Sequence, residues 1–169
     1  MEIQIRPICP KDAAEVNEIR RMRGVMENIL AIPSELLQKT ERFIENTDEN
    51  SHRFVAVVKD AEGKEKVVGM VGLQVYAGAR TRHSAGIGIM VHKAYQGKGV
   101  GTKLMEAVLD LADNWLMLVL VELTAYTDND RAIKLYEKMG FVKEGVKQKA
   151  AIRNGTYADE YIMARIRNA

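Results

Sequence analysis

The alternation of apolar and polar positions predicts a chain built from short strands and helices in turn. EIQIRP, near the amino terminus, alternates and ends at Pro7, as a short strand does. RFVAVVKD, KVVGMVGLQVY and SAGIGIMV are typical of longer strands, and DAEGK between the first two predicts a turn. LVLVELTAY predicts the next strand, and another begins at Phe141. The final segment, AAIRNGTYADEYIMARI, predicts a hairpin that turns at Asn154-Gly155.

Apolar residues at helical spacing predict four helices. The first helix follows Asp12, and Asp12 together with Glu15 resembles a capping box. The second helix begins at Pro33 and Ser34. The third runs from about Gly99 to Leu116, and NDRAIKLYEKMG forms the fourth, closed by Gly140. The predicted apolar positions are Val16, Ile19 and Met22 on the first helix, Leu36, Leu37, Thr40, Phe43 and Ile44 on the second, and Leu104, Val108, Leu111 and Trp115 on the third.

The element order is β-α-α-β-β-β-α-β-α-β-β, without repeats or an obvious linker. It predicts a single mixed α/β domain over residues 1–169. Hydrophobic residues make up 47% of the chain and charged residues 28%, which is typical of a soluble globular protein. The opening MEIQIRPICPKD lacks the regions of a signal peptide, and Cys9 is the one cysteine, so we expect a cytoplasmic protein without a disulfide.

Charge and hydropathy argue against two classes of partner. The formal net charge is +2, which is too small to indicate nucleic acid or an anionic membrane surface. The chain also has no run of about 18 apolar residues that could span a bilayer. We therefore expect neither nucleic acid nor membrane as a partner.

A glycine-rich stretch, YQGKGVGTKL, lies directly before the third helix and predicts an anion site. The unpaired N–H groups of a first helical turn and the helix dipole attract phosphate, and glycines let the phosphate approach closely. The stretch has no Walker spacing, and it fails the dinucleotide pattern because Thr102 occupies the position of the third glycine. The pattern that remains is Gln96-x-x-Gly99-x-Gly101 after a strand and before a helix.

Two motifs resemble the signatures of the GNAT N-acetyltransferases. Gln96-x-x-Gly99-x-Gly101 is similar to the family signature that seats the pyrophosphate of coenzyme A. TDNDRAIKLYEKMGFVKEG resembles the second signature, Asn-x-x-Ala-x-x-x-Tyr-x-x-x-Gly-Phe. The resemblance covers essentially the whole chain and is weakest over residues 10–50. The residues that fill the second pattern are Asn129, Ala132, Tyr136, Gly140 and Phe141.

The resemblance implies a twisted, mixed and mostly antiparallel sheet with helices on both faces. Acetyl-CoA is the implied co-substrate, wedged where the central strands part, with no metal and no covalent enzyme intermediate. The end of the strand GIGIMV then holds the pantetheine and the thioester, and the glycine stretch covers the pyrophosphate. The implied cofactor-binding residues are Ile89, Met90, Val91, Gln96, Gly97, Lys98, Gly99, Val100, Gly101, Thr102, Asn129 and Tyr136.

The resemblance also implies a catalytic role for Tyr136, which would give a proton to the leaving thiolate; the alternative is a tyrosine of the core. The base that takes the proton of the amine is open between His83 and Glu122. A bulge at Gly86 and Gly88 is expected where the two central strands separate. Arg80, Arg82 and Arg153 are candidates for binding a substrate carboxylate.

The predicted function is direct transfer of an acetyl group from acetyl-CoA to a primary amine of a small molecule such as a free amino acid. Three alternatives stay open: an acetyltransferase for protein N-terminal amines, a catalytically silent acyl-CoA-binding regulatory module, and a nucleotide-binding protein. A homodimer is a further expectation from the family.

Overall fold

The computed structural model describes residues 1–168 and contains the predicted series of strands and helices. The strands are β1 (Gln4–Pro7), β2 (Ser51–Lys59), β3 (Glu65–Val75), β4 (Ser84–Val91), β5 (Leu120–Tyr126), β6 (Val142–Arg153) and β7 (Thr156–Ile166). The helices are α1 (Ala13–Arg20), α2 (Leu37–Glu45), α3 (Val100–Asp110) and α4 (Asp130–Lys138). The predicted element order is therefore confirmed. None of the helices in this part of the chain is long and apolar enough to cross a membrane.

All seven strands belong to one sheet in the order β1-β2-β3-β4-β5-β7-β6. Every neighbouring pair is antiparallel except β4 and β5, which are parallel. That parallel pairing is short, because it joins only Ser84–Gly86 to Leu120–Glu122 before the strands diverge. The mostly antiparallel mixed sheet expected from the sequence is confirmed, and it forks between its two central strands.

The two faces of the sheet carry separate hydrophobic cores. Leu104 and Val108 of α3 pack with Leu73 and Phe141 on one face. On the other face, α1 packs against the middle of β2, the first half of β3 and the end of β4. The second core contains Val16, Ile19, Val25, Val55, Val57, Val67, Met70 and Met90. Helices cover both faces, as expected.

The carboxyl-terminal end of the third helix differs from its prediction. Trp115 is 77% exposed, so its predicted burial is wrong, whereas Leu104 and Val108 are fully buried. The helix widens to a π-turn over Leu111–Trp115, in which the Leu116 N–H bonds to the Leu111 carbonyl at 3.0 Å. An i→i+5 turn changes which side chains face the sheet, and Ala112 is buried there instead of Trp115.

The start of the chain shows two further corrections. Helix α2 begins at Leu37, later than predicted, and packs mainly against α1. That narrow contact buries Thr40 and Ile44 but leaves Leu36 68% exposed. The prediction of a capping box at the first helix is also wrong, because the Asp12 side chain makes no capping hydrogen bond there. Asp12 makes an ion pair with Arg6 at 2.9 Å, while the Glu15 side chain accepts a hydrogen bond from the Val67 N–H at 3.2 Å.

The predicted hairpin turn is present at the carboxyl-terminal end. Asn154 and Gly155 have φ values of 50° and 75°, which is the conformation that an Asn-Gly hairpin turn adopts. The hairpin β6–β7 forms one edge of the sheet and leaves large apolar side chains in solvent. The homodimer stays a prediction. The most exposed of these side chains are Val142, Val146, Ile152, Tyr157 and Ile166.

Candidate active site

The fork between β4 and β5 leaves part of β4 without a strand partner. The His92 N–H bonds to the Val68 carbonyl at 2.9 Å, so the main-chain groups of His92 face β3. Because main-chain groups alternate in an antiparallel ladder, those of Ile89 and Val91 face the other side, where β5 has diverged. The Val91 carbonyl accepts a hydrogen bond from Gln96 Nε2 at 3.1 Å. The other main-chain groups of this edge can bind an extended ligand.

The register of β4 against β3 is unbroken from Gly69–Val91 to Val75–Ala85. The bulge expected at Gly86 and Gly88 is therefore wrong. The strands separate because β5 ends its pairing at Glu122, opposite Gly86, and not because β4 bends out of its ladder with β3.

A cavity of about 520 Å³ opens on this free edge of β4. It lies between the end of β4, the glycine stretch and the first turns of α4, and residues 24–29 close one side. Most of the predicted cofactor-binding residues line it: Ile89, Met90, Val91, Gln96, Gly97, Gly99, Gly101, Thr102, Asn129 and Tyr136. Lys98 and Val100 do not; the ammonium of Lys98 lies 5.4 Å from the Tyr95 ring centroid, and the Val100 side chain is buried in the core.

The three glycines of the stretch have different structural reasons. Gly97 and Gly99 have φ values of 73° and 84°, in the left-handed region that favours glycine. A Cβ on either would meet no atom within 4 Å. A Cβ on Gly101, in contrast, would lie 3.1 Å from Cδ2 of Leu135, so this glycine lets α3 pack closely against α4. Room for phosphate, which the sequence predicts at all three glycines, is therefore not the structural reason for Gly101.

The amino terminus of α3 can bind an anion. Its first α-helical main-chain bond runs from the Lys103 N–H to the Gly99 carbonyl at 3.1 Å, so the N–H groups of the preceding residues have no helical acceptor. The side chain of Arg131, at the start of α4, bonds to Gln96 Oε1 and brings a positive charge to the same rim. These groups suit a pyrophosphate.

Asn129 and Tyr136 face the cavity from α4. Asn129 caps the helix, because its Oδ1 accepts a hydrogen bond from the Ala132 N–H at 3.3 Å. Tyr136 is buried beside Phe141, with ring centroids 6.1 Å apart, and burial raises its pKa to about 12. Its hydroxyl makes no hydrogen bond to any group within residues 1–168. This phenol therefore stays protonated and can donate to a ligand in the cavity.

A second cavity of about 480 Å³ adjoins the first on the face of the sheet covered by α1. The two cavities share Ile29, Ile89 and Met90. Glycines form much of its floor, because Gly72 on β3 pairs with Gly88 on β4, and Gly86 lies two residues before Gly88 on the same face. A molecule in the second cavity would reach the edge of β4 that also lines the first.

Glu122 and Tyr76 form a hydrogen-bonded pair in the second cavity. The Tyr76 hydroxyl donates to Glu122 Oε1 at 2.5 Å, and Gly86 leaves room for it, since a Cβ there would lie 3.1 Å from this oxygen. Burial, together with the hydrogen bond to Glu122, raises the pKa of Tyr76 to about 12. Sequence reasoning missed Tyr76, because only the pairing of β3 with β4 brings it over Gly86.

The other candidates from the sequence lie elsewhere. His83 is exposed in the turn before β4, at the end of that strand opposite to the glycine stretch, and lines neither cavity. Arg80 and Arg82 are exposed in the same turn. Arg153 makes an ion pair with Asp128. The arginines that line the second cavity are Arg20 and Arg53, which the sequence argument did not name.

The chain is similar over its whole length to known acetyltransferases. The family model described as Acetyltransferase (GNAT) family matches residues 22–141. The L-amino acid N-acetyltransferase AaaT of Escherichia coli (strain K12) is 43% identical over 166 residues, which are 98% of this chain and 99% of that protein. A spermidine N(1)-acetyltransferase of Vibrio cholerae is 28% identical over 160 residues, or 94% of this chain and 89% of that protein.

Solved structures agree with the fold described above. Spermidine N-acetyltransferase from Vibrio cholerae in complex with CoA and spermine has a TM-score of 0.83 and 26% identity, covering 97% of this chain and 95% of that one. A putative phosphinothricin N-acetyltransferase has a TM-score of 0.82 at 21% identity, which shows the fold alone. With a family match over most of its length and a full-length relative at 43% identity, the chain belongs to the GNAT family of acetyltransferases.

Proposed function

We propose that the protein transfers an acetyl group from acetyl-CoA directly to the amino group of a free amino acid. The observation that carries this proposal is the meeting of two cavities at Ile89 and Met90, one with a phenol and the other with a carboxylate. Acetyl-CoA supplies an activated thioester that a neutral amine can attack. The first cavity has the main-chain donors and the helix terminus that suit its pantetheine and pyrophosphate.

The charges of the second cavity favour an amino acid over a polyamine. Its lining contains two arginines, Arg20 and Arg53, and a single carboxylate, Glu122. Arg20 is paired with Glu35, so Arg53 is the lining cation that would repel a polyamine, whereas an amino acid brings a negative group for it as well as a positive one. The L-amino acid N-acetyltransferase at 43% identity supports the same acceptor class, while the spermidine acetyltransferases are more distant at 26–28%.

Two side chains handle the protons of the reaction in this proposal. Glu122 takes a proton from the acceptor's ammonium, directly or through water, and Tyr76 holds its carboxylate toward the cavity. The neutral amine forms a bond to the acetyl carbon, and the bond from that carbon to sulfur breaks. Tyr136 gives its proton to the departing sulfur. Glu122 is preferred to His83 because it lines the acceptor cavity.

A turnover panel tests the acceptor class. Release of CoA from acetyl-CoA, followed with a thiol reagent, is expected with free amino acids and at least tenfold lower in kcat/KM with polyamines or peptide N-termini. Turnover of polyamines or peptide N-termini with amino acids inert would overturn the proposal, and binding of acetyl-CoA without turnover of any amine would favour a regulatory module.

Gly99→Val tests the glycine stretch, with Gly63→Val as its matched control. Both glycines have positive φ values, 84° and 79°, and open space around them, so the two substitutions strain the backbone similarly. Only Gly99 lines the cavity. We expect Gly99→Val to weaken acetyl-CoA binding more than tenfold, about 1.4 kcal/mol, in calorimetry, and Gly63→Val to leave it unchanged. Equal affinities in the two variants would remove the stretch from the cofactor site.

Tyr136→Phe tests the proposed proton donor. Phenylalanine keeps the buried ring beside Phe141 and removes a hydroxyl that has no protein partner in residues 1–168, so stability should hardly change. Loss of a general acid lowers rates by about 10² to 10⁴. We expect kcat to fall at least tenfold while the acetyl-CoA affinity stays within a few-fold. A variant with full kcat would reduce Tyr136 to a residue of the core.

Glu122→Gln tests the proposed base and has a signature in pH. Glutamine keeps an oxygen that can accept from Tyr76 but cannot take a proton from the amine. We expect kcat/KM to fall by about 10² or more at pH 7. The deficit should shrink as the pH approaches the pKa of the acceptor's own amino group, because the acceptor then arrives already deprotonated. A deficit that is the same at every pH would assign Glu122 a structural role.

A further inference from the structure

Arg53 is half-buried and has no carboxylate partner within residues 1–168. Every other half-buried arginine in residues 1–168 is paired with a carboxylate: Arg6 with Asp12, Arg20 with Glu35, Arg153 with Asp128, and Arg165 and Arg167 with Asp113. The arginines without such a partner are otherwise exposed to water. A partly desolvated cation without a counter-charge is costly, and a ligand anion would relieve that cost.

The guanidinium of Arg53 is held in place by two contacts. It lies over the Phe43 ring, 3.8 Å from the ring centroid, and donates from Nη1 to Thr47 Oγ1 at 2.6 Å. The charge of Asp48 acts on it without forming an ion pair, and Oδ1 of Asp48 accepts hydrogen bonds from the Ser51 hydroxyl and the Asn50 N–H at 2.7 and 3.0 Å. A guanidinium carries five N–H donors, so four remain for a ligand.

The sheet directs Arg53 toward the acceptor cavity. Arg53 pairs with Gly72, which in turn pairs with Gly88, so the three residues form a row across β2, β3 and β4 on one face. A Cβ on Gly72 would lie 3.7 Å from Cγ of Arg53. Because Gly72 and Gly88 have no side chains, the cavity floor beside Arg53 is uncovered. Glu122 lies on β5, three strand spacings from β2, which is roughly 14 Å between backbones. Both side chains line the same cavity from opposite borders.

We infer that Arg53 binds the carboxylate of the acceptor and so selects free amino acids over amines that lack this group. The inference rests on the proposed function and assigns its specificity to one side chain. An acceptor lying over the glycine floor presents its carboxylate to the guanidinium and its amino group toward Glu122. Arg20 cannot serve in the same way, because Glu35, itself buried, already neutralises it with two hydrogen bonds.

Steady-state kinetics on three matched acceptors test this role. The acceptors are the L-amino acid with the highest kcat/KM in the panel, its carboxamide and its decarboxylated amine. We expect the wild type to prefer the acid to both analogues by at least tenfold. Arg53→Gln should raise KM for the acid at least tenfold, with kcat within a few-fold, and leave KM for the carboxamide within about twofold. Arg53→Lys keeps the charge, so its KM for the acid should lie between those of the wild type and Arg53→Gln.

Controls separate recognition from packing. Arg80→Gln removes an exposed arginine outside both cavities and should behave as the wild type. Acetyl-CoA affinity should be unchanged in all three variants. If Arg53→Gln or Arg53→Lys raises KM for the acid and the carboxamide equally, or if the wild type uses the three acceptors equally, Arg53 does not read a carboxylate, although the acetyltransferase function stands. A wild type that acetylates no free amino acid would overturn both proposals.

Discussion

The divergence of β4 from β5 after the Gly86–Glu122 pair is the constraint on which the site depends. Hydrogen bonds between strands are normally completed along a sheet, and here they stop within three residues. The main-chain groups of Ile89 and Val91 are then free for a ligand, and the opening joins the cavities on either side. A tighter pairing of these two strands would satisfy the backbone and close the site.

The same fork divides the chemistry between the two cavities. On one side, a helix terminus and a protonated buried phenol suit an anionic cofactor and its leaving group. On the other side, Glu122 and Arg53 place opposite charges at the borders of a floor of glycines. The proposed acceptor carries its own opposite charges and would lie between them. In the proposed reaction, the acceptor and the thioester would meet at the edge of β4 that both cavities share.

Local patterns along the chain predicted much of the fold and half of the site. KVVGMVGLQVY predicted a strand because it is an apolar run rich in valine, as expected where both faces of a strand are covered. NDRAIKLYEKMG predicted a helix because its one buried face has a period that is visible in the sequence. The cofactor side was predictable for the same reason, since its loop and helix terminus are contiguous in the chain. The burial of Trp115 could not be predicted in this way, because a π-turn changes the register of the helix and no local pattern predicted that turn.

The sequence by itself determined the strand and helix order, the family and the glycine stretch that lines the first cavity, because these depend on neighbouring residues. Only the tertiary structure decided which side chains line the second cavity, the proposed acceptor site. Tyr76 and Glu122 are 46 positions apart, and Arg53 reaches the same cavity through pairings across three strands. His83 precedes β4 directly, yet its side chain lies outside both cavities. Sheet register brings distant residues together, and register is a property of the whole fold.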